Sequence, residues 1–293
     1  MAHLAETVIL GLLIGGVYAL LASGLTLVFG VMNIINVAQG ALLVLSALIT
    51  FELWRRLGLD PIVAVALTTP AMFGLGWVLY RLLVTRIRTA PVSMSVLLTF
   101  ALAITIEGVM GLTWKNVFRS VTPSYFNQSF HLGPFFFPKA QVFGCLTAIV
   151  VLAALYLLLT RTWAGRAIRA AAQNPQGAEL VGVNFGGVAA LTFAVGVATT
   201  GAGGSILSVL YTVFPASHYL WISRLLGIVV LGGMGSLPGA VVGALLLGVA
   251  EALTATYVST RWAAVVFYLV ILAVLLVRPQ GLMGSRLRQD VVP

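Results

Sequence analysis

The chain has 293 residues, 60% hydrophobic and 8% charged, and its 16 Lys and Arg against 7 Asp and Glu give a formal net charge of +9. An ordinary soluble domain is about 25% charged, so these few charges cannot cover a water-facing surface; a soluble fold is excluded, and the outside must meet membrane lipid. The basic residues stand singly or in pairs at the ends of apolar runs, which is the pattern of membrane orientation and excludes a nucleic-acid partner.

The first charge-free run extends from Glu6 to Glu52, longer than one bilayer crossing of about 20 residues. No Lys or Arg precedes it, so no cleavable signal peptide is expected. In chain order, apolar runs predict spans over 7–29, 34–51, 61–83, 92–114, 140–160, 188–211, 221–231, 240–255 and 262–277. The seventh is too short to cross alone and reads as a half-helix running on into the eighth. Three basic groups mark the cytoplasmic side: Arg81, Arg86 and Arg88; Arg161, Arg166 and Arg169; Arg278, Arg286 and Arg288. An even number of crossings must then separate the cytoplasmic loop 161–187 from the tail 278–293. The expectation is one all-α integral membrane domain over 1–293 with about nine transmembrane helices, eight if 221–231 is not a crossing, and the amino terminus outside. Arg55, Arg56, Lys115, Arg119, Lys139, Arg224 and Arg261 then fall outside or near the outer interface. The extracytoplasmic loop 115–139, with Pro123, Pro134, Pro138 and the run Phe135-Phe136-Phe137, reads as a cap on the membrane surface or as aromatic interface anchoring.

Small residues gather where helices would touch: Gly11 and Gly15, then Gly201, Gly203 and Gly204, then Gly235, Gly239 and Gly243 at four-residue spacing. The first long run breaks over 30–40, where Asn33, Asn36 and Gln39 recur every third residue just before Gly40. On a helix they would share one arc of about 120°, and amides in a membrane must bond a neighbouring helix, backbone or a substrate. A second break holds Gly232, Gly233, Gly235, Pro238 and Gly239. So many helix breakers would strand backbone groups against lipid, which places this segment beside a protein-lined cavity. Gln39-Gly40-Ala41-Leu42-Leu43-Val44 resembles Pro238-Gly239-Ala240-Val241-Val242-Gly243, either a trace of duplicated halves or chance likeness between Gly-rich helices. Glu107 and Glu251 are the acids inside spans. Each is a candidate proton or substrate site, or a neutral carboxyl bonded between helices.

No catalytic constellation is visible. His3, His131 and His218 stand apart in sequence, Cys145 lies alone in an apolar run as a packing residue, and neither Lys115 nor Lys139 follows a glycine as a phosphate-binding loop requires. The chain is read as a non-enzyme with no cofactor of its own; if ATP powers transport, other subunits hydrolyse it.

In the basic stretch 165–184, Asn174 is a candidate N-cap, Pro175 suits the first helical position, and Gly182 suits the terminating one. So short a helix is unstable alone and must dock on something; Ala178 and Val181 offer a small apolar face. The spacing Gly165-Arg166-x-x-Arg169-Ala170-x-x-x-Asn174-x-x-x-Ala178-x-x-x-Gly182 resembles the coupling loop of the branched-chain amino acid ABC importer permeases. The likeness continues in Tyr18-Ala19-Leu20, 24–30, Ile35-Asn36-x-Ala38-Gln39-Gly40, 231–240, Ala250-Glu251-Ala252 and Arg278-Pro279-x-Gly281-Leu282. It implies a permease that pairs with a second, homologous permease, two cytoplasmic ATPases that hydrolyse ATP with Mg, and an extracytoplasmic solute-binding protein, in a bacterial inner membrane. Asn33, Asn36, Gln39, Gly40, Gly232, Gly233, Gly235, Pro238 and Gly239 would lie near the path. Two departures stand out: Ala41 replaces a common acid, and Arg224 stands where Lys is frequent. Leucine, isoleucine, valine or a related amino acid is the expected solute, with urea, short amides or aromatic and carboxylic acids as alternatives. An ion-coupled carrier using Glu107 or Glu251 is the alternative from another class.

Overall fold

The computed structural model describes residues 2–87, 92–133 and 135–284; Arg88, Pro134, Arg286 and Arg288 lie outside the described residues. Helices α1 (Ala2–Met32), α2 (Gln39–Leu57), α3 (Pro61–Leu82) and α4 (Val92–Trp114) come first. A hairpin of β1 (Ser129–Leu132) and β2 (Phe135–Pro138) precedes α5 (Lys139–Arg161), α6 (Trp163–Gln173) and α7 (Pro175–Leu180). The chain ends through α8 (Phe185–Leu210), α9 (His218–Gly232), α10 (Leu237–Tyr257) and α11 (Thr260–Val277). Among the described residues, seven helices are long and apolar enough to cross a membrane: α1, α3, α4, α5, α8, α10 and α11. The other two predicted spans fall outside that set. Helix α2 carries Glu52, Arg55 and Arg56 near its end. Helix α9 has 15 residues, about 22 Å of helix against a hydrocarbon core of about 30 Å.

Glycine sets how closely the helices approach. Helices α1 and α10 run antiparallel: a Cβ on Gly11 would lie 2.6 Å from Val249 Cα, and one on Gly15 would lie 2.8 Å from Leu245 Cα. Against α3, a Cβ on Gly201 of α8 would lie 2.7 Å from Thr69 Cα. The stripes read from sequence at Gly11, Gly15 and Gly201 are thus backbone-to-backbone crossings. Helix α8 is almost entirely buried, and hydroxyls fasten its neighbours to it. Ser46 of α2 and Thr68 of α3 both donate to the Gly201 carbonyl, at 2.9 and 3.0 Å, and Thr50 and Thr68 both meet the Ser205 hydroxyl.

The two ends of the bundle differ. At one end the Glu6 carboxylate accepts the Phe136 N–H at 2.9 Å, Arg119 and Val213 pair by backbone, and Tyr125 donates to Asp60 at 3.2 Å. Burial, with the Asp60 carboxylate beside it, pushes the Tyr125 phenol above its ordinary range. The loop read as a cap contains a small antiparallel hairpin. At the opposite end lie the close of α3, the loop between α5 and α8, and the tail from Arg278, so the described members of the three basic groups share one end.

Candidate translocation and coupling sites

Residues 33–38 are not helical, which corrects the expected helical arc of amides. Asn33 ends α1 in the left-handed region at φ 51° and is exposed. Asn36 and Gln39 are fully buried and bond each other at 3.0 Å, and Gln39 Nε2 donates to the Gly196 carbonyl at 2.8 Å. Gly196 stands eleven residues into α8, so the segment climbs about 16 Å into the bundle before α2 begins. Thr99 of α4 meets this backbone: its hydroxyl accepts from Val37 N–H at 3.1 Å and lies 3.1 Å from the Ile35 carbonyl, while also reaching the Ser95 carbonyl of its own helix at 2.8 Å. Thr99 is a site residue that sequence reasoning missed, since an intramembrane Thr normally bonds its own helix. Gly40 starts α2 against α9, where a Cβ would lie 2.7 Å from the His218 carbonyl.

The chain's own tail packs against the 232–239 break. Leu282 and Met283 donate backbone N–H groups to the Leu231 and Gly232 carbonyls at 2.8 and 3.0 Å. Gly233 and Gly235 adopt φ of 100° and 85°, and Gly235 meets Gly30 at the end of α1. Ser236 then caps α10 by accepting from Gly239 N–H, with Pro238 in the first turn. Helices α2 and α10, which carry the two similar hexapeptides, both open just after a non-helical break.

Two histidine and arginine positions are corrected. His218 is not isolated: its Nε2 lies 3.0 Å from Glu107 Oε2, which also accepts from the Tyr219 hydroxyl at 3.0 Å. Arg224 does not reach the outer interface; it pairs within the bundle with Glu251, at 3.0 Å through Nη2 and 3.3 Å through Nη1. Tyr18 donates to Glu251 at 2.8 Å, and its hydroxyl meets that of Tyr211 at 2.9 Å. The rings of Tyr18, Trp221 and Phe267 surround the guanidinium at 5.3 to 5.8 Å. Glu251 is thus neutralised by an internal cation.

On the flank formed by α4, α9 and α11, polar groups interrupt a surface that also exposes Leu97, Phe100 and Leu112 of α4 and Leu269 and Leu272 of α11. Along it Glu107 and the exposed Tyr219, Ser223 and Tyr268 make a polar strip, and Tyr268 donates to Ser223 at 3.1 Å. The exposed large residues of α3, by contrast, are Ile62, Val63, Leu67, Val78 and Leu82, a surface made for lipid tails.

The segment at the basic end folds as two helices rather than one. Thr162 caps α6, and Gly165 packs so closely that a Cβ would collide with the carbonyls of Leu158 and Leu159. Arg166 lies over the exposed Trp163 ring at 5.1 Å; Arg169 is exposed and Ala170 half-buried. Asn174 caps α7 by accepting from Gly177 N–H at 3.0 Å. Gly182, at φ 85°, closes α7, with Gly182 N–H bonded to the Glu179 carbonyl and Val183 N–H to the Ala178 carbonyl, a Schellman end. Ala178 is buried, so the apolar face on offer is Leu180 and Val181, both strongly exposed.

A helical bundle with seven apolar helices of membrane-crossing length, and with charge and amides hydrogen-bonded between them, is a multi-pass membrane protein. The family model described as "Branched-chain amino acid transport system / permease component" matches residues 7–275, and the chain belongs to that family. It is 31% identical over 289 residues to the high-affinity branched-chain amino acid transport system permease protein LivH of Salmonella typhimurium, covering 94% of this chain and 93% of that protein. The LivH protein of Escherichia coli K12 is 30% identical over the same shares. BraD of Pseudomonas aeruginosa is 29% identical over 96% of each chain. No solved structure matches the chain.

Proposed function

We propose that the chain is one of two permease subunits of an ATP-binding-cassette importer for branched-chain or related neutral amino acids, the solutes named for its relatives. The observation that carries this reading is the polar strip of Glu107, Tyr219, Ser223 and Tyr268 at membrane depth on one flank. Polar and ionisable groups inside a bilayer face a partner or water, not lipid tails. A second, homologous permease set against this flank converts it into one wall of a path. The buried amide pair Asn36 and Gln39 stands just behind that wall, joined to it where Gly40 meets His218.

Work enters at the other end. Leu180 and Val181, with Trp163, Arg166 and Arg169, form an exposed apolar and cationic surface on α6 and α7, suited to two cytoplasmic ATPase subunits that hold ATP and Mg. A solute-binding protein would deliver solute at the hairpin end. Conformational change then alternates access to the path. The test is reconstitution with these partners in liposomes: leucine uptake is expected only with internal or external ATP at the ATPase face, and uptake by this chain alone along an ion gradient would support the carrier instead.

A further inference from the structure

Two acids lie at membrane depth among the described residues, and they are treated differently. Glu251 faces Arg224. Glu107 has no Lys or Arg beside it: its partners are the Tyr219 hydroxyl and His218, and both meet the same oxygen, Oε2. The His218 side chain is 2% exposed and its Nδ1 is buried without a partner. His218 meets Glu107 through Nε2, at Oε2. No Lys or Arg among the described residues pairs with Glu107.

It is also open. The Glu107 side chain is 25% exposed, and no described residue donates to Oε1. On the same helix Gly108 and Gly111 have nothing within 4 Å of a Cβ position, so neither neighbour covers the carboxylate on that flank. Ile104, one turn below, and Leu220 supply exposed apolar surface nearby. An accessible carboxylate with no Lys or Arg partner and with Oε1 clear of both its partners, beside apolar surface, suits a cation on an aliphatic body.

We propose that Glu107 is the subsite that receives the primary ammonium group of the neutral amino acid in transit, with Oε1 as the acceptor. This rests on the permease reading above and adds the residue and the chemical group it recognises. His218 and Tyr219 are positioning residues that fix Oε2.

The experiment uses the complete importer in proteoliposomes. Glu107→Gln keeps an oxygen for His218 and Tyr219 but deletes the charge; leucine uptake is expected to fall about 10- to 150-fold, the loss of one charge-assisted hydrogen bond. Complex recovery should stay unchanged, and Glu107→Asp should restore part of the uptake. As a second measurement on the unaltered protein, carbodiimide labelling of Glu107, mapped by peptide mass, should be slowed by leucine and not by 4-methylpentanoate, which lacks the amine. Unchanged uptake by Glu107→Gln, or equal protection by both compounds, overturns the proposal and leaves the permease reading standing. A Glu107→Gln complex that fails to assemble assigns the carboxylate to a cation of the partner permease and also overturns it. A wild-type importer that takes up no amino acid removes the permease reading and this proposal with it.

Discussion

Replacing Arg224 by Met is expected to destabilise the bundle more than any surface change, and the structure sets the size. Arg224 and Glu251 are 11% and 18% exposed and pair through both guanidinium Nη atoms. Removing one partner of a buried pair strands the other charge and typically costs about 3–5 kcal/mol. That is roughly two to almost four powers of ten in the folded to unfolded ratio. Here the stranded Glu251 keeps only the Tyr18 hydroxyl, and three rings lose their cation. Replacing both partners is a different perturbation, because an apolar pair of similar volume avoids desolvating two ions and is often neutral or stabilising. The double variant Arg224→Met with Glu251→Leu should therefore return to within about 1 kcal/mol of wild type. Unfolding of the purified chain in detergent, followed by the fluorescence of Trp221 beside Arg224, measures all three. If the single variant is as stable as wild type, or the double variant as unstable as the single, the pair is not the lock this reasoning makes it.

Three further outcomes follow from particular contacts. Gly233→Ala should disrupt the α9–α10 junction, because Gly233 sits at φ 100° against Gly284, whereas Gly111→Ala, with open space around it, should leave folding intact; equal thermal stability of the two variants contradicts the close packing. Leu180→Asp or Val181→Asp should abolish coupled ATP hydrolysis in the assembled importer without lowering the stability of this chain, while Ala178→Asp should lower that stability, since Ala178 is buried. In a Cys145→Ser background, an impermeant thiol reagent outside intact cells should reach Gln128→Cys, near the hairpin, and not Gln176→Cys in α7; labelling of both refutes the assigned sidedness.

The apolar runs made the helices legible because each needs only length and hydropathy to declare itself, and α7 was legible because Asn174, Pro175 and Gly182 each serve one backbone position of a short capped helix. Periodicity misled at 33–39. Amides every third residue suggest a helix face, yet the bonding of Asn36 to Gln39 and of Thr99 to the backbone between Ile35 and Val37 accompanies a non-helical climb that ends in a turn. Thr99 gave no signal because its role depends on α4 lying beside the break. The ion pairs were hidden for the same reason: 111 residues separate Glu107 from His218 and 27 separate Arg224 from Glu251. Arg224 was assigned to the interface because sequence shows the cost of a charge in a span and not the partner that offsets it.

Helix α9 ties these observations together. Along its length it packs on α1, α2, α10 and α11, whereas α4 packs chiefly on α2 and on the short turn that leads into α9. Arg224, on the inward side, binds α9 to α1 and α10 through Tyr18 and Glu251; His218 and Tyr219, at its start, reach across to Glu107 of α4. The two polar clusters therefore sit on opposite sides of one 15-residue helix and differ in exposure and in charge balance. The inner cluster is neutral, shielded by rings and set where helix contacts are densest, so it holds α9 in place. The outer cluster joins α9 to α4 by two hydrogen bonds on a single carboxylate oxygen at an exposed edge. Relative motion of α4 against the rest would break those two bonds and the contacts of Thr99 with the 35–37 backbone, and would leave the inner lock untouched. A seam of this kind, weak on the flank and fixed behind, is where a permease can open a wall without unfolding its core.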